Sequence, residues 1–355
     1  PCAQATAACP WGKPQNLSEK CGILIPQAAC GNDCLRQGLA GARVYGLIAT
    51  PDGSVAHAEN SLPMLIKRDM GAGMKLLSWN IQWGRGMDGR VDLARILQTL
   101  RQEGDFDVIC LQEVAVNFPG LPGSRGEDQI AELSAGLPGY TPIYGVATDI
   151  PDGRGGRSRF GNAILSRLPI GQVWRHLLPW PAESGAPSMQ RVLVEAVLDA
   201  DVGPLRVMTT HLEYYSQRQR EVQIDAIRSL HAEACAMSAR MPLPEEAGGS
   251  FEVFPRPTQT LLCGDMNFPA SAPECARILA PFPGGEPGFR DAWDVLHPGE
   301  PHAPTVGIHK VDFVDRPECF DFVFVTEGLA NRLKAHGIDA ATEASDHQPV
   351  WVELT

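Results

Sequence analysis

The sequence lacks an apolar run of the roughly 18–20 residues that cross a bilayer, so we expect no membrane span. It also lacks an excess of positive charge, because 30 Lys and Arg residues stand against 42 Asp and Glu, for a formal net charge of −12. This balance argues against a protein that coats nucleic acid or anionic membrane by bulk attraction, but it leaves a local phosphate site open. A GxGxxG motif between a strand and a helix is also absent, which disfavours a dinucleotide-binding protein.

The composition indicates a large folded protein. The chain has 355 residues, of which 44% are hydrophobic and 20% are charged, enough for a sizeable core. Its 36 glycines and 30 prolines predict many turns and loops. A chain of this length is compatible with two domains or with one large α/β domain.

The first 73 residues differ from the rest. Five of the ten cysteines fall here, without a CxxC pair or a histidine at zinc-finger spacing, so we favour a poorly packed extension over a zinc or disulfide knot. Six basic and five acidic residues give residues 1–73 a net charge of +1, which leaves −13 for residues 74–355. Met74 directly precedes the first strong strand, so we expect the main domain to begin there. Its single, scattered cysteines suit a reducing cytosol, and we expect a cytoplasmic location.

Residues 74–355 alternate between strand and helix patterns. Apolar residues at helical spacing predict helices over Val91–Glu103, Asp128–Leu137 and Ser216–Arg240. Several β-type runs follow one another closely between residues 143 and 211, so hairpins must join them. This order predicts a mixed or antiparallel sheet and not a Rossmann sheet.

Polar side chains repeatedly stand at the end of an apolar strand pattern or just before one. They are Asn80, Glu113, His211, Asp265, Asn267, Asp346 and His347. Strand ends present side chains to a cleft, and converging carboxylate and amide oxygens would suit Mg²⁺. Histidines and cysteines at close spacing are too few for a zinc cage. Each residue alone is more typical of a turn or a cap, but the joint pattern predicts a metal-assisted site.

These positions resemble the motifs of the endonuclease/exonuclease/phosphatase superfamily, the DNase I-like metal-dependent phosphodiesterases. The matching pieces, in the family's order, are Ser78-Trp79-Asn80, Leu111-Gln112-Glu113-Val114, Gly161-Asn162-Ala163-Ile164, Thr210-His211-Leu212-Glu213, Gly264-Asp265-Met266-Asn267-Phe268, Asp321-Phe322-Val323 and Ser345-Asp346-His347. Each piece alone is common, but the combination is specific. The resemblance implies a catalytic domain over residues 74–355, folded as a four-layer α/β sandwich with two mixed sheets packed face to face and helices outside.

The resemblance also implies a metal site. Glu113 would be the main ligand of Mg²⁺, with Mn²⁺ as an alternative ion. Asn80 would lie beside it, on the metal or on the phosphate. Asp346 would add negative charge near the metal or brace a histidine.

Catalytic roles follow from the same resemblance. Asp265 would align and deprotonate the attacking water, and Asn267 would hold a phosphate oxygen. His211 and His347 would donate hydrogen bonds to the phosphoryl oxygens as charge develops. Asp321 would orient His347.

The substrate is less well defined by sequence. The segment Thr210–Tyr215, followed by Arg218, is similar to the branch of the superfamily that contains tyrosyl-DNA phosphodiesterase 2. On this basis we assign Tyr215 and Arg218 to substrate binding, although an arginine at a helix start is at least as typical of a solvated position. We also assign Asn162 to substrate binding, because it follows an arginine-containing loop that would rim the pocket.

Three functions fit the sequence. The first is an Mg²⁺-dependent nuclease or DNA-end phosphodiesterase, acting as a monomer. The second is a phosphodiesterase or phosphatase for lipid or small-molecule head groups, such as a sphingomyelinase-like enzyme. The third is a non-catalytic binding module on the same fold, which is disfavoured because the matching catalytic positions carry competent residues. The acidic charge favours small or locally bound substrates over long duplexes.

Overall fold

Two six-stranded mixed sheets pack face to face in the computed structural model of this protein. The structure describes residues 73–241, 243, 249–309, 311 and 313–355. Except for Gly73, the predicted N-terminal extension lies outside the described residues, and its packing stays a prediction.

The strands of both sheets come from all parts of the described chain. They are β1 (Met74–Asn80), β2 (Val108–Val116), β3 (Thr141–Pro151), β4 (Arg157–Ser166), β5 (Ile170–Leu177), β6 (Val192–Ala200), β7 (Gly203–His211), β8 (Thr260–Asp265), β9 (Phe289–Asp291), β10 (Asp321–Thr326), β11 (Leu333–Ile338) and β12 (Val350–Leu354). One sheet has the order β11-β12-β1-β2-β4-β3, and the other has the order β5-β6-β7-β8-β10-β9. Each contains one parallel pair, β1 with β2 and β7 with β8, among antiparallel neighbours.

Helices lie outside the sheets. They are α1 (Leu93–Glu103), α2 (Gln129–Gly136), α3 (Gln217–Ala239), α4 (Pro273–Leu279), α5 (Ala292–Leu296) and α6 (Glu327–Ala330). The three longest begin at side-chain caps, because Asp92, Asp128 and Ser216 each accept a hydrogen bond from a backbone N–H in the first turn. Within the described residues, no helix has the length and apolar character to cross a membrane.

Alternation along the strands creates the layers. Leu76 packs between the two sheets, whereas its neighbour Leu77 packs beneath α1 on the outer face of the first sheet. On the outer face of the second sheet, Met208 packs with Ile224 and Ile227 of α3. The order helix, sheet, sheet, helix confirms the predicted four-layer α/β sandwich.

A buried ion-pair network braces the second sheet. Glu195 of β6 is fully buried and accepts hydrogen bonds from Arg206 Nη1 at 3.1 Å and from Arg256 Nε and Nη2 at 3.1 and 3.0 Å. Arg206 also donates from Nη2 to Thr260 Oγ1 at 2.7 Å. Burial would raise the pKa of Glu195, but hydrogen bonds from His176 and Arg256 and the charge of Arg206 lower it to about 2. The ionised carboxylate is therefore the form that the fold stabilises.

Replacement of Glu195 by glutamine is expected to lower the free energy of unfolding by about 3 kcal/mol at neutral pH, because it leaves two buried guanidinium groups without their carboxylate. A carboxylate with a lowered folded-state pKa stabilises the fold above its unfolded pKa and loses that effect as pH falls. The difference from wild type should therefore shrink below about pH 4. Urea unfolding at several pH values measures it. Glu353→Gln, which removes a surface partner of Lys75 and Lys334, should cost less than about 1 kcal/mol; equal losses for both variants would contradict the expectation.

Candidate active site

The polar strand-end residues meet at one end of the two sheets. Asn80 ends β1 beside Gln112 of β2, and His211 ends β7 beside Asp265 of β8. Asp265 ends β8, directly across from Asp321 at the start of the antiparallel strand β10. Because parallel strands end at the same edge and the two sheets pack face to face, these side chains reach a common space.

Two of these residues sit on strained backbone. Glu113 has φ of 60° and Asn267 has φ of 55°, which place them in the left-handed region. At Glu113 the register between β2 and β4 shifts, between Leu111 and Val114. A bulge of this kind turns a side chain out of the regular alternation. Such strain costs free energy and occurs preferentially at functional sites.

Asn80 links two of the acidic residues. Its Nδ2 donates to Glu113 Oε1 at 3.1 Å and to Asp265 Oδ2 at 2.9 Å. Its Oδ1 accepts from the backbone N–H of Gln82 at 3.0 Å. In this arrangement Asn80 presents a donor, and not its oxygen, to the carboxylates, so it holds them together.

A chain of hydrogen bonds between buried groups fixes His347. Its Nδ1 is 2.8 Å from Asp321 Oδ2, and the same oxygen accepts from Thr305 Oγ1 at 2.7 Å. Thr305 Oγ1 in turn accepts from the backbone N–H of Asp321 at 3.1 Å. His347 Nε2 lies 3.6 Å from Asp265 Oδ2. Although burial lowers it, the carboxylates of Asp321, Asp265 and Asp346 raise the pKa of His347 well above its ordinary value.

The second histidine has the opposite electrostatic setting. His211 Nε2 is 3.5 Å from Asp265 Oδ2, and its Nδ1 is 3.7 Å from Glu113 Oε1. Burial, followed by the charges of Arg191 and His347, lowers the pKa of His211 well below its ordinary value. The site therefore combines an imidazolium at His347 with a neutral imidazole at His211.

The acidic residues carry more negative charge than the protein itself neutralises. Burial and the charge of Asp346 raise the pKa of Glu113 to about 7. Burial, and then the charge of Asp321, raise the pKa of Asp265 to about 6, and burial raises that of Asp346. Buried carboxylates are stable when they are paired or bind a metal. A hard divalent cation matches this oxygen donor set.

One group of potential ligand atoms in this region, Asp265, Asp321 and His347, has all its atoms within 4.8 Å of one another. The hydrogen bond between His347 and Asp321 occupies Nδ1, so we interpret this group as a histidine held by carboxylates. Glu113 and Asp346 are the acids beside it that line the cleft. Asp346 accepts hydrogen bonds from Gln82 and Ser345. The assignment of the metal to Asn80, Glu113 and Asp346 stays a prediction.

A cleft of about 510 Å³ opens above these groups. Its acidic, amide and imidazole lining comes from Gln82, Glu113, Asp265, Asn267, Asp346, His211 and His347. Its aromatic lining comes from Trp83, Phe118, Phe160, Tyr214, Tyr215 and Phe313. The rings form two contacting groups. The ring centroids of Phe160 and Phe118 are 6.3 Å apart, and those of Tyr214 and Tyr215 are 4.9 Å apart. The cleft therefore combines acidic residues with aromatic surfaces on which a ring or an apolar group can pack.

Of the three substrate-binding residues assigned from sequence, one lines the cleft and two do not. Tyr215 lines the cleft and is 64% exposed. Arg218 is exposed, does not line the cleft, and donates to the carbonyl of Ala182 at 3.3 Å. Asn162 is buried and donates to the carbonyl of Val192 at 2.9 Å, so it holds the start of β6 outside the main cleft.

Other lining residues were not found by sequence reasoning. Gln82, Trp83 and Thr305 either face the cleft or hold its residues, yet they belong to no motif pattern of their own. Arg191 also lines the cleft, although the sequence shows only an arginine before an apolar strand. The signal that could have indicated Gln82 and Trp83 is their position directly after the strand-end motif.

The fold and the site together place this protein among α/β-sandwich proteins of the phosphoesterase type. The model of the endonuclease/exonuclease/phosphatase family matches residues 77–347, and the chain belongs to this family. Members of the family are generally phosphoric ester hydrolases and generally depend on a divalent metal. A search of curated proteins finds no match.

Solved structures share the fold. An endonuclease/exonuclease/phosphatase from Beutenbergia cavernae DSM 12333 is 23% identical, covers 80% of this chain and 71% of its own, and has a TM-score of 0.54. A mannosyl-6-phosphatase from Bacteroides thetaiotaomicron VPI-5482 is 18% identical, with 79% and 99% coverage and a TM-score of 0.53. D. rerio TDP2, solved with a single-strand DNA product, is 19% identical, with 79% and 98% coverage and a TM-score of 0.50. At these identities the likeness shows the fold.

Proposed function

We propose that this protein is a metal-dependent phosphodiesterase that acts as a nuclease or a DNA-end phosphodiesterase, with its catalytic domain in residues 74–355. The observation that carries the proposal is the cluster of half-buried Glu113 with buried Asp265, Asp346, His211 and His347 in an aromatic-lined cleft. A phosphodiester is an anion that repels hydroxide, and neutral water is a weak nucleophile. Cleavage therefore needs neutralisation of charge, a base and donors to the phosphoryl oxygens.

Glu113 and Asp346 would hold the metal, with Mg²⁺ as the proposed ion and Mn²⁺ as an alternative. When bound, the metal would neutralise phosphate charge and stabilise the leaving oxygen. Asn80 would keep Glu113 and Asp265 in place through its two hydrogen bonds.

Asp265 is the proposed base. Its Oδ1 accepts from the backbone N–H of Asn267 at 3.0 Å, which fixes the carboxylate, while Oδ2 faces both histidines. Removal of a proton from water by Oδ2 would create the nucleophile. A base with a pKa raised to about 6 is well matched to such a transfer near neutral pH.

The remaining groups would hold the phosphoryl oxygens. His347, kept protonated by Asp321, is a charged donor, and His211 is a neutral one. Asn267 lines the cleft and uses one amide N–H on the carbonyl of Leu212 at 2.8 Å, which leaves a second amide hydrogen for a phosphate oxygen. These donors are buried and need little reorganisation.

A DNA end fits the aromatic lining, because nucleobases stack on aromatic side chains. The shared fold with TDP2, whose structure contains a single-strand DNA product, is consistent with this substrate. The net charge of −13 on residues 74–355 argues against affinity for a long duplex. That charge and the limited volume of the cleft, about 510 Å³, favour a second candidate, a phosphatase or phosphodiesterase for small molecules.

The purified protein is expected to hydrolyse bis-p-nitrophenyl phosphate with Mg²⁺ or Mn²⁺ and to lose this activity in EDTA. Glu113→Gln should raise the Mg²⁺ concentration needed for half-maximal activity by more than the roughly 10- to 100-fold that follows loss of a residue that only orients a ligand, since it removes a charged ligand itself. Activity that survives EDTA, or an unchanged metal requirement in Glu113→Gln, would refute the metal assignment. Absence of hydrolysis under every metal would favour a binding module.

A substrate panel separates the two candidate functions. Oligonucleotides with a 5′-tyrosyl or free end should be cleaved by a DNA-end enzyme, whereas sugar phosphates and lipid head groups should be cleaved by a small-molecule enzyme. The ratio of kcat/KM values between the two groups decides between them. A steep salt dependence of duplex binding would count against both the acidic-surface argument and the small-molecule candidate.

A further inference from the structure

Arg191 has an unused donor beside the active-site cleft. The residue directly precedes β6 and is only 6% exposed. Its Nε donates to Glu213 Oε2 at 3.2 Å, whereas its buried Nη1 has no hydrogen-bond partner. The side chain lines the cleft, and its charge acts on His211. A buried guanidinium N–H without an acceptor is costly even where the charge itself is paired, so this group calls for a functional explanation.

The guanidinium is held in place from behind. Glu213 is fully buried, and its Oε1 accepts from the backbone N–H of Tyr215 at 3.0 Å, which fixes the carboxylate that holds Nε. Asn162 and Thr210 both donate to the carbonyl of Val192, at 2.9 and 3.2 Å, and so fix the backbone next to Arg191. The position of Nη1 is therefore set before any ligand arrives.

The charge of Arg191 is distinctive in the cleft. Among the described residues of its lining, it is the one side chain with a permanent positive charge, and the acidic members are Glu113, Asp265 and Asp346. The guanidinium geometry suits phosphate oxygens, to which it donates strong charge-assisted hydrogen bonds.

We propose that Arg191 anchors the substrate, with Nη1 donating to a non-bridging phosphate oxygen. The identity of this anion as a phosphate rests on the proposed function. One anchor among aromatic side chains selects an ester whose phosphate lies next to a ring or an apolar group, and it does not select a long polyanion. Arg191 thereby acts on affinity for the phosphate, and Glu213 acts as its positioning residue.

Binding of inorganic phosphate to the full chain tests the proposal without turnover. Isothermal titration in Mg²⁺ buffer should show about 10- to 100-fold weaker phosphate binding for Arg191→Gln, the effect of losing one charged hydrogen bond. Arg191→Lys, which keeps the charge, should recover part of the loss. Arg277→Gln removes an exposed arginine of α4 that pairs with Asp225, and should bind phosphate as the wild type does.

A structural role alone predicts a different pattern. In that case Arg191→Gln and Glu213→Gln would lower the melting temperature alike and leave phosphate affinity unchanged, which would overturn the proposal. If the Arg191 variants unfold, a crystal structure of the wild type with phosphate decides. A phosphate oxygen at roughly 2.7–3.2 Å from Nη1 supports the anchor. A phosphate bound elsewhere, with Nη1 satisfied by water, refutes it.

The outcomes also separate this proposal from the proposed function. A protein that binds phosphate through Arg191 but hydrolyses no phosphate ester would refute the hydrolase and leave the anchor. A protein that hydrolyses bis-p-nitrophenyl phosphate, with the same KM in Arg191→Gln and wild type, would refute the anchor and leave the hydrolase.

Discussion

Replacement of Asp265 by asparagine is expected to lower kcat for phosphodiester hydrolysis roughly 10³-fold, inside the range of about 10²–10⁴ for a general base. Asp265 is 1% exposed, and its Oδ2 lies within 3.6 Å of both imidazoles. An amide at this position keeps the volume but cannot accept a proton from water. The negative charge of Asp265 also stabilises the protonated form of His347, so the substitution weakens that donor as well.

The measurement is single-turnover hydrolysis under saturating metal, which isolates the chemical step from product release. Asp107→Asn is the matched control, because Asp107 is also a buried aspartate, directly before β2, and accepts a hydrogen bond from the backbone N–H of Lys75 at 2.9 Å. It does not line the cleft, so its variant should keep wild-type kcat. Equal losses in both variants would indicate a general effect of buried charge, and full activity in Asp265→Asn would remove the base from the mechanism.

Much of the site was predictable because strand direction is a global property of the fold. Asn80, His211 and Asp265 each end a strand whose apolar pattern is visible in the sequence. The parallel pairs then place His211 beside Asp265, and Asn80 beside the residue that precedes Glu113. The three longest helices were predicted for a similar reason. Their apolar spacing extends over several turns, and the structure places α1, α2 and α3 within about two residues of the expected limits.

Shorter elements lacked such a signal. The strand β9 has three residues, and β11 is half-buried along most of its length, without a clear alternation. Both are defined by pairing with a neighbouring strand. β11, for example, pairs with β12 across a register shift. The short helices α4, α5 and α6 contain too few residues to show a period. Tertiary pairing and packing decide these segments.

The finer geometry of the site was also beyond sequence patterns. The sequence pattern places Glu113 at the end of its strand, whereas β2 continues to Val116, with a register shift against β4 and a positive φ at Glu113. The position of Arg191 beside the cleft depends on its contact with Glu213, which lies 22 residues later in the chain and is not visible in the sequence pattern. Tyr215 and Arg218 are three residues apart, yet one lines the cleft and the other faces solvent, because the chain enters α3 between them.

Replacement of Asp321 by asparagine is expected to lower kcat roughly 10²- to 10³-fold through its effect on His347. Asp321 does not line the cleft, and its Oδ2 accepts from His347 Nδ1 and Thr305 Oγ1. After burial, which acts in the opposite direction, the charge of Asp321 is the largest cause of the raised pKa of His347. An asparagine removes that charge and lets its amide compete for the ring nitrogen, so the imidazolium loses both its stabilisation and its orientation.

The pH profile distinguishes this positioning role from simple unfolding. In wild type the protonated form of His347 should persist to high pH, so activity should fall on the alkaline side only well above the ordinary histidine range; in Asp321→Asn that limb should move to lower pH. Asp321→Glu, which keeps the charge, should recover part of the activity. Asp291→Asn is the matched control, because Asp291 is a buried aspartate 2.9 Å from His302 Nε2 and outside the cleft. If the Asp321 variant loses activity without a shift of the alkaline limb, Asp321 only supports the fold, and the charged donor must be sought elsewhere in the cleft.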